Sequence, residues 1–270
     1  MKKIVLLLLV LSSFALTGCG KNSGNVIIVS ATAVPHAEIL EEARPILKQL
    51  GYELDVVVVS SYYVSNPAVA SGSADANFFQ HIPFFDEYNS GVTEDKKLAN
   101  VATIHIEPIG LYSPVKYGYT NVSDIKNGDT ILMSNSTGDL GRLLKLLEAQ
   151  GLITLKAGAG ITATVDDIIA NPKNLIIKND VAPELLVSAY NYGEAPIVLI
   201  NSNFALAAGI NPLTTAIALE STLNNPYANI VACRTADVDT PKIKALIEAL
   251  TSQTIKDFIT SEYTGAVIPA

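Results

Sequence analysis

The chain has 270 residues, 18 of them basic and 26 acidic, for a formal net charge of -8, and 49% are hydrophobic. Nothing in such an acidic chain supplies the basic footprint that nucleic acid requires, so that class of partner is excluded. The length exceeds one average domain and can bury a substantial core, and two domains are expected.

The chain opens MKKIVLLLLVLSSFALTGCG, with Lys2 and Lys3 ahead of an apolar run and small residues just before Cys19. This pattern reads as a secretory signal peptide over 1–18. The apolar stretch is too short to make a comfortable membrane span. Small residues before a cysteine form a lipobox, so Cys19 is expected to receive a lipid and become the mature first residue; a plain cleavable signal with an incidental cysteine is the other reading. The expected home is the extracytoplasmic face of the cell membrane, reached through acyl chains. Only Lys2 and Lys3 are charged in 1–18, so the remainder carries 16 basic against 26 acidic residues, a net -10. With Cys19 acylated, Cys233 stands alone, which rules out an internal disulfide and a cysteine-built zinc site. Residues 19–25, with GKNSG at 20–24, read as a lipidated, flexible tether.

A short buried strand is expected at 26–29 (VIIV), followed by a helix with Ile39, Ala43, Ile46, Leu47 and Leu50 at helical spacing and Gly51 as its stop. Pro45 inside that pattern predicts a kink or break. A strand at 56–59 then implies a parallel pair with a right-handed crossover. A short helix at 66–71, a strand at 74–77 and a strand at 101–106 follow. The same grammar restarts with a strand at 130–133 and a helix at 137–150. A short helix at 165–170, a strand at 175–177, a helix at 184–190, a strand at 197–200 and a helix at 202–208 come next. A strand at 230–233 and helices at 241–250 and 254–263 close the chain. Two blocks of alternating strands and helices indicate α/β architecture with two mostly parallel sheets flanked by helices.

Catalysis finds no support in these residues. The three histidines, His36, His81 and His105, form no HExxH, and no serine lies in GxSxG. His105 and Glu107, two apart on a strand, could share a metal, but no third ligand is evident and a strand end against Pro108 is the simpler reading. Gly158-Ala159-Gly160 lacks the lysine of a phosphate loop. No metal and no cofactor are expected.

In open α/β sheets, ligands bind beyond the carboxyl ends of strands. Those ends offer Ser60, Ser61, Tyr62 and Tyr63; then Phe78, Phe79, His81 and Phe84 from DANFFQHIPFF; then Asn135 and Arg142; then Asn201 and Asn203; and Asn229 before the last strand. If they converge, they make an aromatic box with one guanidinium and several carboxamides. Arginine presents a planar fork to a carboxylate, asparagine serves carboxylate and ammonium alike, and aromatic rings accept a thioether. This chemistry suits a free amino acid with an apolar side chain. No acidic residue can be placed beside the ammonium. Of the neighbours Phe78 and Phe79 one should face the core, with Phe78 favoured; Tyr62 and Tyr63 pose the same choice.

PHAEIL (35–40), GYELDVV (51–57), DANFFQHIP (75–83), IHIEPIGLYS (104–113), TATVDDIIANPKNL (162–175), LIN (199–201), NPYAN (225–229) and GAVIPA (265–270) span the chain beyond the tether. Through them it resembles the methionine-binding lipoproteins of bacterial ABC importers, the MetQ/NlpA type. The resemblance implies a two-lobed periplasmic-binding-protein-like fold with the ligand cleft between lobes. Lobe I would comprise 26–108 and 223–270, and lobe II 109–222. It implies ligand contacts at Tyr62, Phe79, His81, Phe84, Arg142, Asn201 and Asn229. Arg142 would hold the carboxylate, Asn201 and Asn229 the polar end, and the rings the side chain, with His81 at its edge. Asn203 would begin the following helix instead. The implied partners are methionine, with L-methionine favoured, and an ABC permease with its ATPase; no enzymatic activity is implied. Phe84 stands where the family commonly has tyrosine, and SNSTGDLGR departs from its proline-containing, Asn-rich loop. Residues 193–198 (GEAPIV) lack the acid often found before the LIN strand, and the pair after Tyr62 is altered. These departures leave open a methionine-containing dipeptide or another apolar amino acid as ligand, or a surface adhesion role.

Overall fold

The computed structural model describes residues 23–270. The expected signal peptide 1–18, Cys19 and the start of the tether lie outside the described residues, and 23–25 form one 3-10 turn. The first run of elements is β1 (Val26–Thr32), α1 (Glu38–Gln49), β2 (Glu53–Val59), α2 (Ser65–Ala70), β3 (Ala76–His81), α3 (Ile82–Ser90) and β4 (Leu98–Ile106). The second is β5 (Gly110–Tyr112), β6 (Thr130–Ser134), α4 (Thr137–Ala149), β7 (Thr154–Leu155), β8 (Ile168–Ala170), β9 (Ile176–Val181), α5 (Leu186–Tyr192), β10 (Ile197–Ile200), α6 (Ser202–Ala207), α7 (Pro212–Thr215) and β11 (Ala218–Leu219). The chain closes with β12 (Ala228–Arg234), α8 (Pro241–Leu250), α9 (Gln253–Tyr263) and β13 (Ile268–Pro269).

The first and last runs build one six-stranded sheet in the order β13-β4-β12-β3-β1-β2, and the middle run builds a five-stranded sheet, β11-β5-β10-β6-β9. The result is a two-lobed α/β fold, and the chain passes between sheets only after β4 and after β11. The apolar strands are covered on both faces, as strands without alternation must be. In the first lobe Ile27, Val29, Phe78 and Val231 pack under Leu40 and Leu47 of α1, Leu246 of α8 and Ile259 of α9. In the second, Ile131, Met133 and Leu199 meet Leu143, Leu144 and Leu147 of α4. Leu132, Val198 and Ile200 meet Leu186 and Ala205 on the other face. Gly51 ends α1 with φ +88°, a left-handed conformation that glycine adopts without a Cβ penalty.

Three expectations need correction. The sheets are mixed rather than mostly parallel: β1 pairs in parallel with β2 and β3, and β6 with β9 and β10, while β4, β5, β11, β12 and β13 pair antiparallel. Of these, β4, β5, β11 and β12 flank the two crossings, where the chain returns against its earlier direction, and β13 is the C-terminal strand at the sheet edge. Pro45 does not break α1, which runs on through it to Gln49 with the proline on the exposed face beside Glu41. The short helix expected at 165–170 is a 3-10 turn at Val165–Asp167 followed by β8, whose Ile168 and Ala170 pair with β7.

Candidate functional site

The stretch ANFFQH (76–81) is one strand, β3, rather than a strand at 74–77 followed by a loop. Its side chains alternate across the sheet. Phe78 is fully buried against His36 and His105, at ring-centroid distances of 4.7 and 5.3 Å, while Phe79 joins Tyr62 and Phe84 on the other side. His81 ends β3 and caps α3, its Nδ1 accepting the Phe84 backbone N–H at 3.2 Å. That bond leaves the ring its proton on Nε2. Asn229, at the start of β12, stands in register with His81 on one side and His105 on the other, and the β12 register then shifts at Ile230. Such irregularities re-aim side chains at sheet ends.

The opposite wall comes from the second lobe. Asp139 lies in the first turn of α4 and Arg142 one turn further, both buried. A side chain on Gly141 would run into the Ile161 carbonyl, so glycine there lets the start of α4 press against the 160–163 loop. Arg142 is not turned to water. Its Nε donates to Glu220 Oε1 and Oε2 at 2.9 and 3.0 Å, and its Nη2 to Glu220 Oε2 and the Glu107 carbonyl, each at 2.6 Å. The Tyr227 ring lies 4.6 Å from the guanidinium carbon. Only Nη1 is left for a ligand; its nearest charged neighbour is Asp139 Oδ1 at 4.0 Å.

Asp139 accepts from His81 Nε2 at 2.8 Å and from Asn201 Nδ2 at 3.0 Å. Burial opposes its charge, but the bond from His81, with Arg142 and Asn201, outweighs that and holds its carboxyl below the usual range. Asn201 Oδ1 is buried with no hydrogen-bond partner among the described residues. The Tyr62 hydroxyl donates to Asn203 Oδ1 at 2.6 Å, and Thr137 Oγ1 donates to Glu87. These contacts and His81–Asp139 all join one lobe to the other, so the cleft is drawn closed. Tyr62, Phe79 and Phe84 form the apolar wall, with centroids 5.8–6.0 Å apart, and Phe204 of α6 adds a fourth ring 5.1 Å from Tyr62.

Beneath them lies a buried polar cluster. His105 Nε2 and His36 Nε2 approach the same Glu107 oxygen at 2.7 and 3.3 Å, and His36 Nε2 also faces Asn229 Oδ1 at 3.1 Å. His36 Nδ1 pairs with Thr32 Oγ1 at 2.7 Å. Burial pushes His36 down to about 4 and His105 down to about 3. Burial raises the Glu107 carboxyl above its ordinary value, against the pull of His36 and Arg142. Two imidazoles and a carboxylate this close resemble a metal triad. However, His36 Nε2 faces two acceptors and so carries a proton where a metal would need a lone pair. The cluster reads as two neutral rings donating to one carboxylate.

Tyr62, Phe79, His81, Phe84, Arg142, Asn201 and Asn229 thus all line one cavity between the two sheets. Tyr63 is exposed and Phe78 is core. Asn135 is exposed and does not reach the cavity. Several lining residues escaped sequence reasoning. Glu107 lies just beyond a strand end, His36 belongs to no catalytic motif, and Asn203 belongs to α6, yet all three line the cavity. Asp139 and Glu107 supply the acids that could not be placed. Asp139 lies inside the very segment, SNSTGDLGR, that departs from the family pattern.

A model described as NlpA lipoprotein matches residues 27–270. The methionine-binding lipoprotein MetQ of Bacillus subtilis is 46% identical over 276 residues, covering 100% of this chain and 99% of that protein. Among solved structures, a nutrient-binding protein from Burkholderia cenocepacia bound to methionine superposes with TM-score 0.82 at 35% identity, covering 90% of this chain and 99% of that one. A periplasmic substrate-binding protein of an ABC transporter from Coxiella burnetii superposes with TM-score 0.81 at 32% identity, covering 90% and 100%.

Proposed function

The chain belongs to the NlpA lipoprotein family, and from that premise we propose that it is the substrate-binding protein of an ABC importer, capturing methionine and delivering it to the permease and ATPase. It binds and releases its ligand unchanged and is not an enzyme. Among the described residues no helix is long and apolar enough to cross a membrane. A lipid on Cys19, after the small residues that precede it, would hold the protein at the extracytoplasmic face.

The observation that carries the reading is the convergence of one guanidinium, the carboxamides of Asn201, Asn203 and Asn229 and three aromatic rings on a single cavity between two sheets. Arg142 Nη1 and Asn229 meet the α-carboxylate end, and Tyr62, Phe79 and Phe84 enclose the thioether, with His81 at its edge. Lobe I is taken as 26–108 with 223–270 and lobe II as 109–222, opening about the two crossings. The His81–Asp139 and Tyr62–Asn203 bridges have to part for entry, and ligand shifts the population back to the closed form that the permease recognises. Native mass spectrometry of freshly purified protein tests the proposal. Co-purified or added L-methionine bound one to one supports it; a different small molecule retained in its place, with methionine unable to displace it, overturns it.

A further inference from the structure

Charged groups around the cavity do not balance for a zwitterion. One guanidinium, Arg142, stands between two carboxylates: Glu220 takes it bidentately, and Asp139 lies 4.0 Å from Nη1. His81 brings no compensating charge, since its Nδ1 accepts the Phe84 N–H and its Nε2–H is donated to Asp139. His36 and His105 face Glu107 rather than Asp139. The lining therefore holds at least one uncompensated negative charge. Next to it, Asn201 Oδ1 is a buried acceptor without a donor, on a residue only 7% exposed. A carboxylate and an empty carbonyl acceptor side by side call for a cationic group that also donates hydrogen bonds.

Building on the methionine-binding reading, we propose that the ligand's free α-ammonium, seated between Asp139 and Asn201 Oδ1, is the charged determinant of recognition, and that the α-carboxylate is replaceable by a neutral carbonyl. The ligand class is then α-amines with a methionine-like side chain, the acid being optional. Arg142 Nη1–H donates to an amide oxygen as it does to a carboxylate oxygen, and with Glu220 on its other edge the guanidinium gains little more from the second charge. Masking the amine, by contrast, leaves Asp139 buried without a counter-charge, which is the expensive error.

Calorimetry on the full-length lipoprotein in detergent tests this with L-methionine, L-methioninamide and N-acetyl-L-methionine at pH about 6.5, where both free amines are protonated. The amide should bind within about tenfold of methionine, and the N-acetyl compound more than about a hundredfold more weakly. Asp139→Asn should weaken methionine and its amide alike, by about thirtyfold or more, and strengthen the N-acetyl compound, which no longer strands a buried charge; a merely structural role would weaken all three. An N-acetyl compound bound as well as the amide, or an Asp139→Asn protein that holds methionine normally, overturns the proposal while methionine binding stands. No binding of methionine by the unaltered protein removes both readings. Should Asp139→Asn not fold, the ratio of the two masked compounds on the unaltered protein decides alone.

Discussion

Tyr62 and Asn203 meet across the cleft, the phenol of the first lobe donating at 2.6 Å to the carboxamide oxygen of the second. Both are buried, and Tyr62 is simultaneously part of the apolar wall. Closure and side-chain recognition therefore share one residue. Tyr62→Phe keeps the ring and removes the latch, leaving Asn203 Oδ1 buried without its donor. Methionine affinity should fall about tenfold, at a cost of about 1–2 kcal/mol, mostly through faster release. Stopped-flow measurement of both rate constants checks it; an unchanged off-rate denies the latch.

Arg142 and Glu220 make a second prediction with two readouts. Arg142→Ala should abolish detectable methionine binding and also lower stability by roughly 3–5 kcal/mol, because Glu220 and Asp139 lose their shared cation in a buried place. Arg142→Ala with Glu220→Gln removes one of those stranded charges. It should recover part of the melting temperature and none of the binding. Thermal melts beside calorimetry separate the two effects, and near-normal affinity in either variant discards the role given to Arg142.

Residues whose neighbours are fixed by strand direction were readable from the sequence. Phe79, His81, Asn201 and Asn229 sit at sheet ends, where α/β chains place ligands. Tyr62, Phe84 and Arg142 were picked out by residue type and by the family motifs. What escaped was pairing between side chains far apart in sequence. Nothing in the letters joins Arg142 to Glu220, 78 residues on, or His36 to Asn229, 193 residues on. Asp139 was hidden differently. Its segment reads as a departure from a familiar loop, and only the arrival of His81 and Asn201 shows that the departure lies inside the cavity. The mixed sheets were missed because a strand's direction depends on which way the chain crosses between lobes, and short apolar strands carry no mark of that.

Phe79 is nearly buried and touches both Tyr62 and Phe84. Phe79→Ala opens the wall against the thioether and removes a ring contact as well as packing. Methionine should weaken by about 2–4 kcal/mol, close to the usual cost of losing a core phenylalanine. Alanine, whose methyl does not reach the ring, should change far less. Equal weakening of the two ligands by calorimetry would place Phe79 outside the side-chain pocket.

Acid stability follows from the cluster under the cavity. His36 and His105 stay neutral in the fold down to about pH 4 and about pH 3, while the unfolded rings take up protons below their ordinary 6.5. Between those limits the unfolded chain binds more protons, so stability rises with pH and is lost as pH falls from 6.5. At about 1.4 kcal/mol per pKa unit, the two rings together cost on the order of 4 kcal/mol by pH 5. Glu107 acts in the opposite sense. Its raised carboxyl binds a proton more readily folded than unfolded, so acid favours the fold through its window and offsets part of the loss. Asp139, held low, contributes stability above the ordinary aspartate value that is lost only in stronger acid. The rings therefore dominate between pH 6.5 and 5. Urea unfolding at pH 7, 6 and 5 should show a steep decline that His36→Gln makes shallower, since glutamine keeps a polar group near Thr32 and Asn229 and takes up no proton. A His36→Gln protein with the same acid slope as the unaltered chain would remove His36 from this account and leave His105 to carry it.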